Sequence, residues 1–243
     1  MNLLLDFGNT NTKIAVYNNN ELVDSHIFNE LHINDIKNLK HLSSINNVIL
    51  SSVVSCKDEI RNYLRNNFRN FIVINSNTAI PIEIKYKSKQ TLGNDRIATA
   101  VGANNIFPNT NVLVIDMGTA ITFDFINSNN QFVGGNISPG VSLRLQSLHE
   151  HTKKLPLVKK DKNFKFIGSD TNSALLYGVE NGILFEVEGY INKLKKEHET
   201  LKTILTGGDT FLFEKIIKIP IFVESNLLFQ GLNRILDYNV KNN

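Results

Sequence analysis

The sequence predicts an α/β protein of two similar domains, each a mixed β-sheet with helices on its faces. Residues 3–12, LLLDFGNTNT, are matched by residues 112–122, VLVIDMGTAIT. Both segments read as an apolar strand, an Asp-x-Gly turn and a second strand. The chain of 243 residues is long enough for two domains. We therefore expect one domain at 1–108 and a second at 109–243.

The first half alternates short apolar runs with helical segments. Residues 48–54 are almost continuously apolar, which favours a buried strand. The predicted elements are strands at 2–6, 11–17 and 21–28, a helix at 34–41, a strand at 48–54, a helix at 57–68, a strand at 71–74 and a helix at 95–107. For the last helix, Asn94 or Asp95 is the expected N-cap. This order is typical of a mixed sheet covered by helices.

The second half repeats the plan. Pro139 favours a helix that begins directly after it. Asp170 or Thr171 suits the N-cap of a long helix that ends near His198. The other predicted elements are strands at 112–116, 121–126, 131–137, 202–206 and 219–224, a loop at 153–166, and helices at 211–217 and 227–238.

Net charge, apolar runs and the cysteine count argue against several classes of function. The net charge is +3 with acids and bases interspersed, whereas nucleic-acid binding usually needs a concentrated basic face. No apolar run approaches the roughly 18 residues that cross a bilayer, and the first residues lack the features of a signal peptide. The single cysteine, Cys56, excludes an intramolecular disulfide framework, and His149 and His151 do not share a helix face. We expect a cytoplasmic protein with no nucleic-acid or membrane partner.

The first motif is Asp6-Phe-Gly-Asn-Thr10. A carboxylate at a strand end suits hydrated magnesium, which prefers oxygen ligands. Gly8 is expected to adopt a positive φ and to let backbone N–H groups approach phosphate. Asn9 and Lys13 supply further donors. By itself the segment is also ordinary hairpin-turn chemistry.

Two further motifs argue against the interpretation that the first motif is only a hairpin turn. Asp116-Met-Gly-Thr-Ala120 repeats the first motif, and Thr206-Gly-Gly-Asp209 ends a strand where a ribose or flat ring could lie against bare backbone. The three motifs in this order predict two RNase H-like domains of the actin, sugar-kinase and heat-shock chaperone superfamily, with a nucleotide held by the paired Asp-x-Gly turns.

Leu92-Gly-Asn-Asp-Arg96 is the best candidate for chemistry. Asp95 can accept a proton from a substrate hydroxyl, and Arg96 can pair with a carboxylate or phosphate. The alternative is that Asp95 only caps a helix. Gly134–Gly140 reads as a loop whose glycines allow close approach, and the basic stretch 153–165 reads as a solvated loop.

These segments together resemble the type III pantothenate kinase family over nearly the whole chain. LGNDR at 92–96 and GGNISPG at 134–140 separate that family from the rest of the superfamily. The other matching segments are DFGNT at 6–10, Tyr86, DMGTAITFD at 116–124, Thr152, Leu155-Pro156, Thr171 and TGGD at 206–209. Three residues depart from the family pattern: Ala15, Lys89 and Asn94.

The resemblance implies ATP-dependent phosphorylation of pantothenate to 4′-phosphopantothenate, the first step of coenzyme A biosynthesis, with Asp95 as general base. It implies magnesium with ATP, bound at Asp6 directly or through water, and a potassium or ammonium ion at Asp116. ATP would contact Asp6, Phe7, Gly8, Asn9, Thr10, Asn11, Thr12, Lys13 and Thr119. Pantothenate would contact Tyr86, Gly93, Asn94, Asp95, Arg96 and Thr171, in a pocket at the interface of a homodimer.

Two other readings stay open. One is a kinase for another small alcohol or sugar, although sugar kinases of this fold generally carry larger insertions. The other is a nucleotide-sensing regulatory protein, against which the complete set Asp6, Asp95, Asp116 and Thr119 argues. The donor could also be another nucleoside triphosphate.

Overall fold

The computed structural model describes residues 1–52, 56–162 and 165–242. It divides into two compact units, Met1–Pro108 with Asn226–Asn243, and Asn109–Ser225. The predicted α/β class is confirmed, and the first segment of the first unit ends at Pro108. The segment 226–243, which we assigned to the second domain, packs with the first unit instead, because its helix lies on the first unit's sheet.

The strands and helices follow the predicted order closely. In chain order they are β1 (Asn2–Phe7), β2 (Thr12–Asn18), β3 (Glu21–Phe28), α1 (Ile33–Lys37), β4 (Asn47–Ser52), α2 (Asp58–Asn67), β5 (Asn70–Val73), β6 (Glu83–Ile84), α3 (Asn94–Ile106), β7 (Val112–Met117), β8 (Ala120–Asn127), β9 (Gln131–Pro139), α4 (Val141–Glu150), α5 (Thr171–Glu197), β10 (Lys202–Thr206), α6 (Thr210–Phe213), β11 (Phe222–Val223) and α7 (Leu227–Asn242). Among the described residues, no helix is both long and apolar enough to span a bilayer.

The first unit is built on a sheet of order β3-β2-β1-β4-β5. β1 runs antiparallel to β2 and parallel to β4. All six residues of β1 are buried, as expected of a central strand covered on both faces. Leu3 and Leu5 join the core that α1 and α2 complete, and α7 packs on β1 and β4 together with α3.

The second unit repeats this topology, with the order β9-β8-β7-β10-β11. β7 is antiparallel to β8 and parallel to β10, as β1 is to β2 and β4. The side chains of α4 and α5 pack against Leu113, Ile115 and Met117. The duplication seen in the sequence is therefore a duplication of strand order and direction.

Several predicted elements have different limits. The helix expected at 34–41 ends at Lys37, and the helix expected at 211–217 ends at Phe213. The strand expected at 219–224 is only Phe222–Val223, since Pro220 has no N–H to offer a neighbouring strand. The strand expected at 48–54 is seen to Ser52, and its last two residues lie outside the described residues.

Candidate active site

The first Asp-x-Gly turn places a buried carboxylate at the end of β1. Asp6 is 6% exposed, and the Ser51 hydroxyl on β4 donates a hydrogen bond to its Oδ1 at 2.9 Å. The turn is closed by the Gly8 N–H, which donates to the Asn11 carbonyl at 3.1 Å. Gly8 does not have the positive φ that we expected. Its lack of a Cβ matters for space, because a Cβ there would lie 3.2 Å from the Asn11 oxygen.

The surroundings of Asp6 disfavour the ionised form of its carboxyl. The pKa of its carboxyl is raised from 3.8 to about 6, chiefly by burial and also by the charge of Asp95, although the Ser51 hydrogen bond and Lys13 act in the opposite direction. A charge interaction between Asp6 and Asp95 means that the two predicted functional carboxylates approach each other within the first unit. A cation would relieve their repulsion, so this pair fits a divalent metal.

Asp95 lies in the first turn of α3, where the helix dipole favours negative charge. The N-cap is Gly93, not Asn94 or Asp95 as predicted. The Asp95 carboxylate folds back over this glycine, where its Oδ1 accepts a hydrogen bond from the Arg96 N–H at 2.9 Å. A Cβ on Gly93 would lie 2.3 Å from that oxygen. The Leu-Gly-x-Asp pattern therefore has a steric cause.

The other predicted pantothenate residues of this segment lie beside Asp95. The Arg96 guanidinium lies over the Tyr86 ring, 5.7 Å from its centroid. The Asn94 side chain donates to the carbonyls of Ser52 at 3.4 Å and Ile74 at 3.3 Å, which ties α3 to the ends of β4 and β5. Gly93 and Asn94 also line a cavity of about 530 Å³.

The remaining residues of the first hairpin serve different purposes. Phe7 and Thr12 are buried, and Phe7 belongs to the apolar core, so it can reach a ligand only through its backbone. Asn9 and Thr10 are exposed, and Lys13 is half-buried. The exposed pair supplies donors at the turn.

The backbone of two glycines from elsewhere in the second unit approaches the second Asp-x-Gly turn closely. Gly207 has a φ of +97°, and a Cβ there would lie 2.4 Å from the Asp116 Oδ1. A Cβ on Gly140 would lie 2.3 Å from the Gly118 oxygen, and the Gly140 N–H donates to the Thr119 carbonyl at 3.0 Å. The predicted loop at 134–140 is the end of β9, and the close neighbour of its last glycine is this hairpin. Asp116 is half-buried and Thr119 is exposed.

Thr171 belongs to the second unit. It begins α5, whose predicted N-cap Asp170 is confirmed by a hydrogen bond from the Ser173 N–H. Thr171 lines a cavity of about 1000 Å³ in the second unit, bordered by α4 and α5 side chains such as Leu143 and Leu175. Within the first unit the structure groups Tyr86, Gly93, Asn94, Asp95 and Arg96.

Two contacts at the site were not predicted. Ser51 lies near the end of the buried strand β4, and its only sequence signal is a polar residue that follows an apolar run. Lys160, which we read as part of a solvated loop, forms an ion pair with Asp209 of the Thr-Gly-Gly-Asp turn. Both contacts join residues that are 45 or more positions apart.

Comparison with known proteins shows the family of this chain. A family model described as type III pantothenate kinase matches residues 2–193. The chain belongs to the type III pantothenate kinase family. A type III pantothenate kinase from Cytophaga hutchinsonii is 40% identical over 242 residues, which are 99% of this chain and 100% of the relative. Type III pantothenate kinases phosphorylate pantothenate with ATP and a divalent metal at the start of coenzyme A biosynthesis.

Solved structures support the fold of this pantothenate kinase family member. A Campylobacter jejuni protein described as a Baf family transcriptional activator matches with a TM-score of 0.61 at 24% identity, covering 98% of this chain and 99% of that chain. The inorganic polyphosphate/ATP-glucomannokinase of Arthrobacter sp. strain KM matches with a TM-score of 0.51 at 12% identity, covering 98% and 100%. At these identities the likeness shows the fold alone, and the predicted fold class is confirmed.

Proposed function

We propose that this chain transfers the γ-phosphoryl group of ATP to the primary hydroxyl of pantothenate, with Asp95 as the general base. The observation that carries the assignment of the base is the position of the Asp95 carboxylate. It is half-buried in the first turn of α3, it influences the pKa of Asp6, and it adjoins the cavity that Gly93 and Asn94 line. Phosphoryl transfer requires mainly positioning and charge neutralisation, so one well-placed carboxylate suffices to accept the hydroxyl proton.

For ATP, the first hairpin offers backbone N–H groups and the exposed side chains of Asn9 and Thr10, and the second offers Thr119. Asp6 would hold magnesium, directly or through water. This metal, when bound, would neutralise phosphate charge. The fit rests on the buried Asp6 carboxylate and its raised pKa, both of which a bound cation would compensate.

Asp116 would hold the monovalent cation, potassium or ammonium. Its carboxylate oxygen is the kind of donor that either ion accepts. Gly118 and Gly207 leave no side chain between this carboxylate and the backbone around it. The cation would add positive charge to the second turn, where a nucleotide brings several negative charges.

For pantothenate, Arg96 supplies a cation for the substrate carboxylate, and Tyr86 supports the guanidinium. Thr171 lines a cavity of the second unit, and the family resemblance favours a homodimer in which Thr171 completes the partner's pocket. The exposed apolar side chains of Leu143, Leu148 and Phe185 on α4 and α5 are suited to such an interface. We also keep the expectation of a cytoplasmic protein without nucleic-acid or membrane partners.

A coupled ADP-release assay with ATP, magnesium and pantothenate tests the reaction, with and without potassium or ammonium. Asp95→Asn should lower kcat by orders of magnitude and leave ATP binding nearly unchanged. The matched control is Asp58→Asn, which removes a carboxylate from the first turn of α2 and should keep full activity. Retained turnover in Asp95→Asn would remove Asp95 from the mechanism. Turnover with another small alcohol but not with pantothenate would favour the second enzyme reading, and ATP binding without any turnover would favour the regulatory reading.

Mixing two inactive variants tests the shared pocket. Asp95→Asn and Thr171→Tyr should each be inactive as pure proteins. If each pocket takes Asp95 from one protomer and Thr171 from the other, refolding the two together should restore activity, because half of the pockets in mixed dimers are then intact. A mixture as inactive as its components would contradict the shared pocket.

A further inference from the structure

A short strap between α4 and α5 contacts the Thr206–Asp209 turn. We use strap for residues 159–162. The Lys160 ammonium forms an ion pair with the Asp209 carboxylate. Two residues later, the Lys162 ammonium lies 5.1 Å from the centroid of the Phe211 ring on α6. The strap thus has two cationic contacts to the segment that follows β10, although its composition predicts a solvated loop.

Asp209 links this strap to the second Asp-x-Gly turn. The residue is 6% exposed, and its backbone N–H donates to the Met117 carbonyl at 2.8 Å. It occupies the N-cap position of α6, yet its side chain makes no capping hydrogen bond. The partner that offsets this buried carboxylate is therefore Lys160.

The ion pair between Lys160 and Asp209 changes the charge near the second Asp-x-Gly turn, where a ligand would bind. Gly207 lies against the Asp116 carboxylate, so the Asp116 hairpin and the Thr206–Asp209 turn, which are neighbours, each carry one carboxylate. A nucleotide triphosphate is strongly anionic, and uncompensated carboxylates would repel it. Lys160 reduces this negative charge and also fixes the turn by its side chain.

We propose that Lys160 is a positioning residue for the nucleotide, acting through Asp209. It holds the Thr206–Asp209 turn against the Asp116 hairpin and lowers the negative charge that ATP meets there. This inference rests on the proposed function only in placing the nucleotide at the second hairpin. It predicts that nucleotide affinity depends on the charge balance at Asp209 and not on the tether alone.

The test compares Lys160→Ala with Lys159→Ala, which removes the neighbouring exposed lysine of the same strap. We expect Lys160→Ala to raise both the Kd and the KM for Mg-ATP about tenfold, which corresponds to about 1.4 kcal/mol of binding free energy. The KM for pantothenate should change less than about twofold, and Lys159→Ala should resemble the wild type. Lys160→Arg keeps the charge and should recover most of the affinity.

The double variant Lys160→Ala/Asp209→Asn separates charge from tethering, because it leaves no buried unpaired carboxylate. It should bind Mg-ATP more tightly than Lys160→Ala alone. Unchanged ATP affinity in Lys160→Ala, an equal loss in Lys159→Ala, or no recovery in the double variant would each overturn the proposal. The Kd is measured by calorimetric titration without pantothenate. If the wild type binds ATP but fails to turn over pantothenate, the proposed function fails while the Kd comparison still decides the role of Lys160.

Discussion

Ser51 and Asp6 stand side by side in parallel strands, and the Ser51 hydroxyl donates to the Asp6 carboxylate at 2.9 Å. In the second unit, Thr206 occupies the same register position beside Asp116. Each half of the duplicated fold therefore sets a hydroxyl residue of the neighbouring parallel strand next to its aspartate. This relationship follows from the common strand order and concerns residues that the Asp-x-Gly pattern alone does not include.

Replacement of Ser51 by Ala should raise the pKa of Asp6 above its value of about 6, because the hydroxyl lowers that pKa. The kcat/KM for ATP should then fall more steeply below pH 7 than in the wild type and recover at higher pH. The loss of a buried hydrogen bond to a carboxylate should cost about 1–3 kcal/mol of stability. Matching pH profiles for variant and wild type would contradict the role given to Ser51.

Thr203→Val is the control for this change. Thr203 is a buried strand residue whose hydroxyl has no hydrogen-bond partner within the described part of the chain. Its removal should leave the pH profile as it is and should be neutral or stabilising in urea unfolding.

A methyl group on Gly93 should act on the reaction rather than on the fold. In Gly93→Ala the new Cβ would force the Asp95 carboxylate away from its position, 2.3 Å from that Cβ. We expect kcat to fall at least about tenfold, since a displaced base loses its alignment with the substrate hydroxyl. Steady-state kinetics with both substrates measures this. Gly189→Ala is the matched control, because nothing lies within 4 Å of its Cβ.

Glu180 on α5 should make stability depend on pH. It is fully buried. Burial, and then the charge of Asp161, raise the pKa of its carboxyl from 4.5 to about 7, although the backbone N–H of Asp161 lowers it. The folded chain keeps a proton that the unfolded chain loses between these values. The free energy of unfolding therefore falls as the pH rises from 4.5 to 7, and stays lower above it.

Glu180→Gln removes this dependence, because the amide stays neutral. We expect wild type and variant to be similar near pH 4.5 and the variant to be more stable at pH 8, by at most about 3 kcal/mol. Urea unfolding at several pH values measures the difference, with the exposed Glu199→Gln as control. Parallel stability curves from pH 4.5 to pH 8 would contradict the shifted pKa.

The parts of the fold that local pattern encodes were predictable. The apolar runs around Asp6 and Asp116 gave strands, and Asp170 gave the start of α5. What the sequence did not reveal depends on long-range pairing. The Ser51–Asp6 bond requires the register of two parallel strands 45 residues apart, and the Lys160–Asp209 pair joins residues 49 apart. The Gly93 N-cap was missed because Asn and Asp are generally preferred at an N-cap. In this chain the N-cap residue is a glycine, since a Cβ there would collide with the Asp95 carboxylate.

The crossing of α3 and α7 should be sensitive to a single methyl group. A Cβ on Gly231 would lie 1.7 Å from the Ala98 carbonyl oxygen, and one on Gly102 would lie 2.4 Å from the Leu227 carbonyl oxygen. Gly231→Ala should lower the free energy of unfolding by about 3 kcal/mol, since the helices must separate. Urea unfolding measures this, and Gly189→Ala should stabilise by about 0.5–1 kcal/mol. An equal effect of the two substitutions would contradict the close crossing.

The place of α7 in the chain has a consequence for biosynthesis. The second unit is a continuous segment, 109–225, whereas the first unit needs 226–243, which the ribosome makes afterwards. The sheet that carries Asp6 and the helix that carries Asp95 therefore lack α7 while the whole second unit is translated. The apolar face on which α7 packs is uncovered during that time. During that interval the nascent chain exposes the surface that a chaperone would recognise, and a message truncated before codon 226 would yield a protein whose later-made unit is complete and whose earlier-made unit is not.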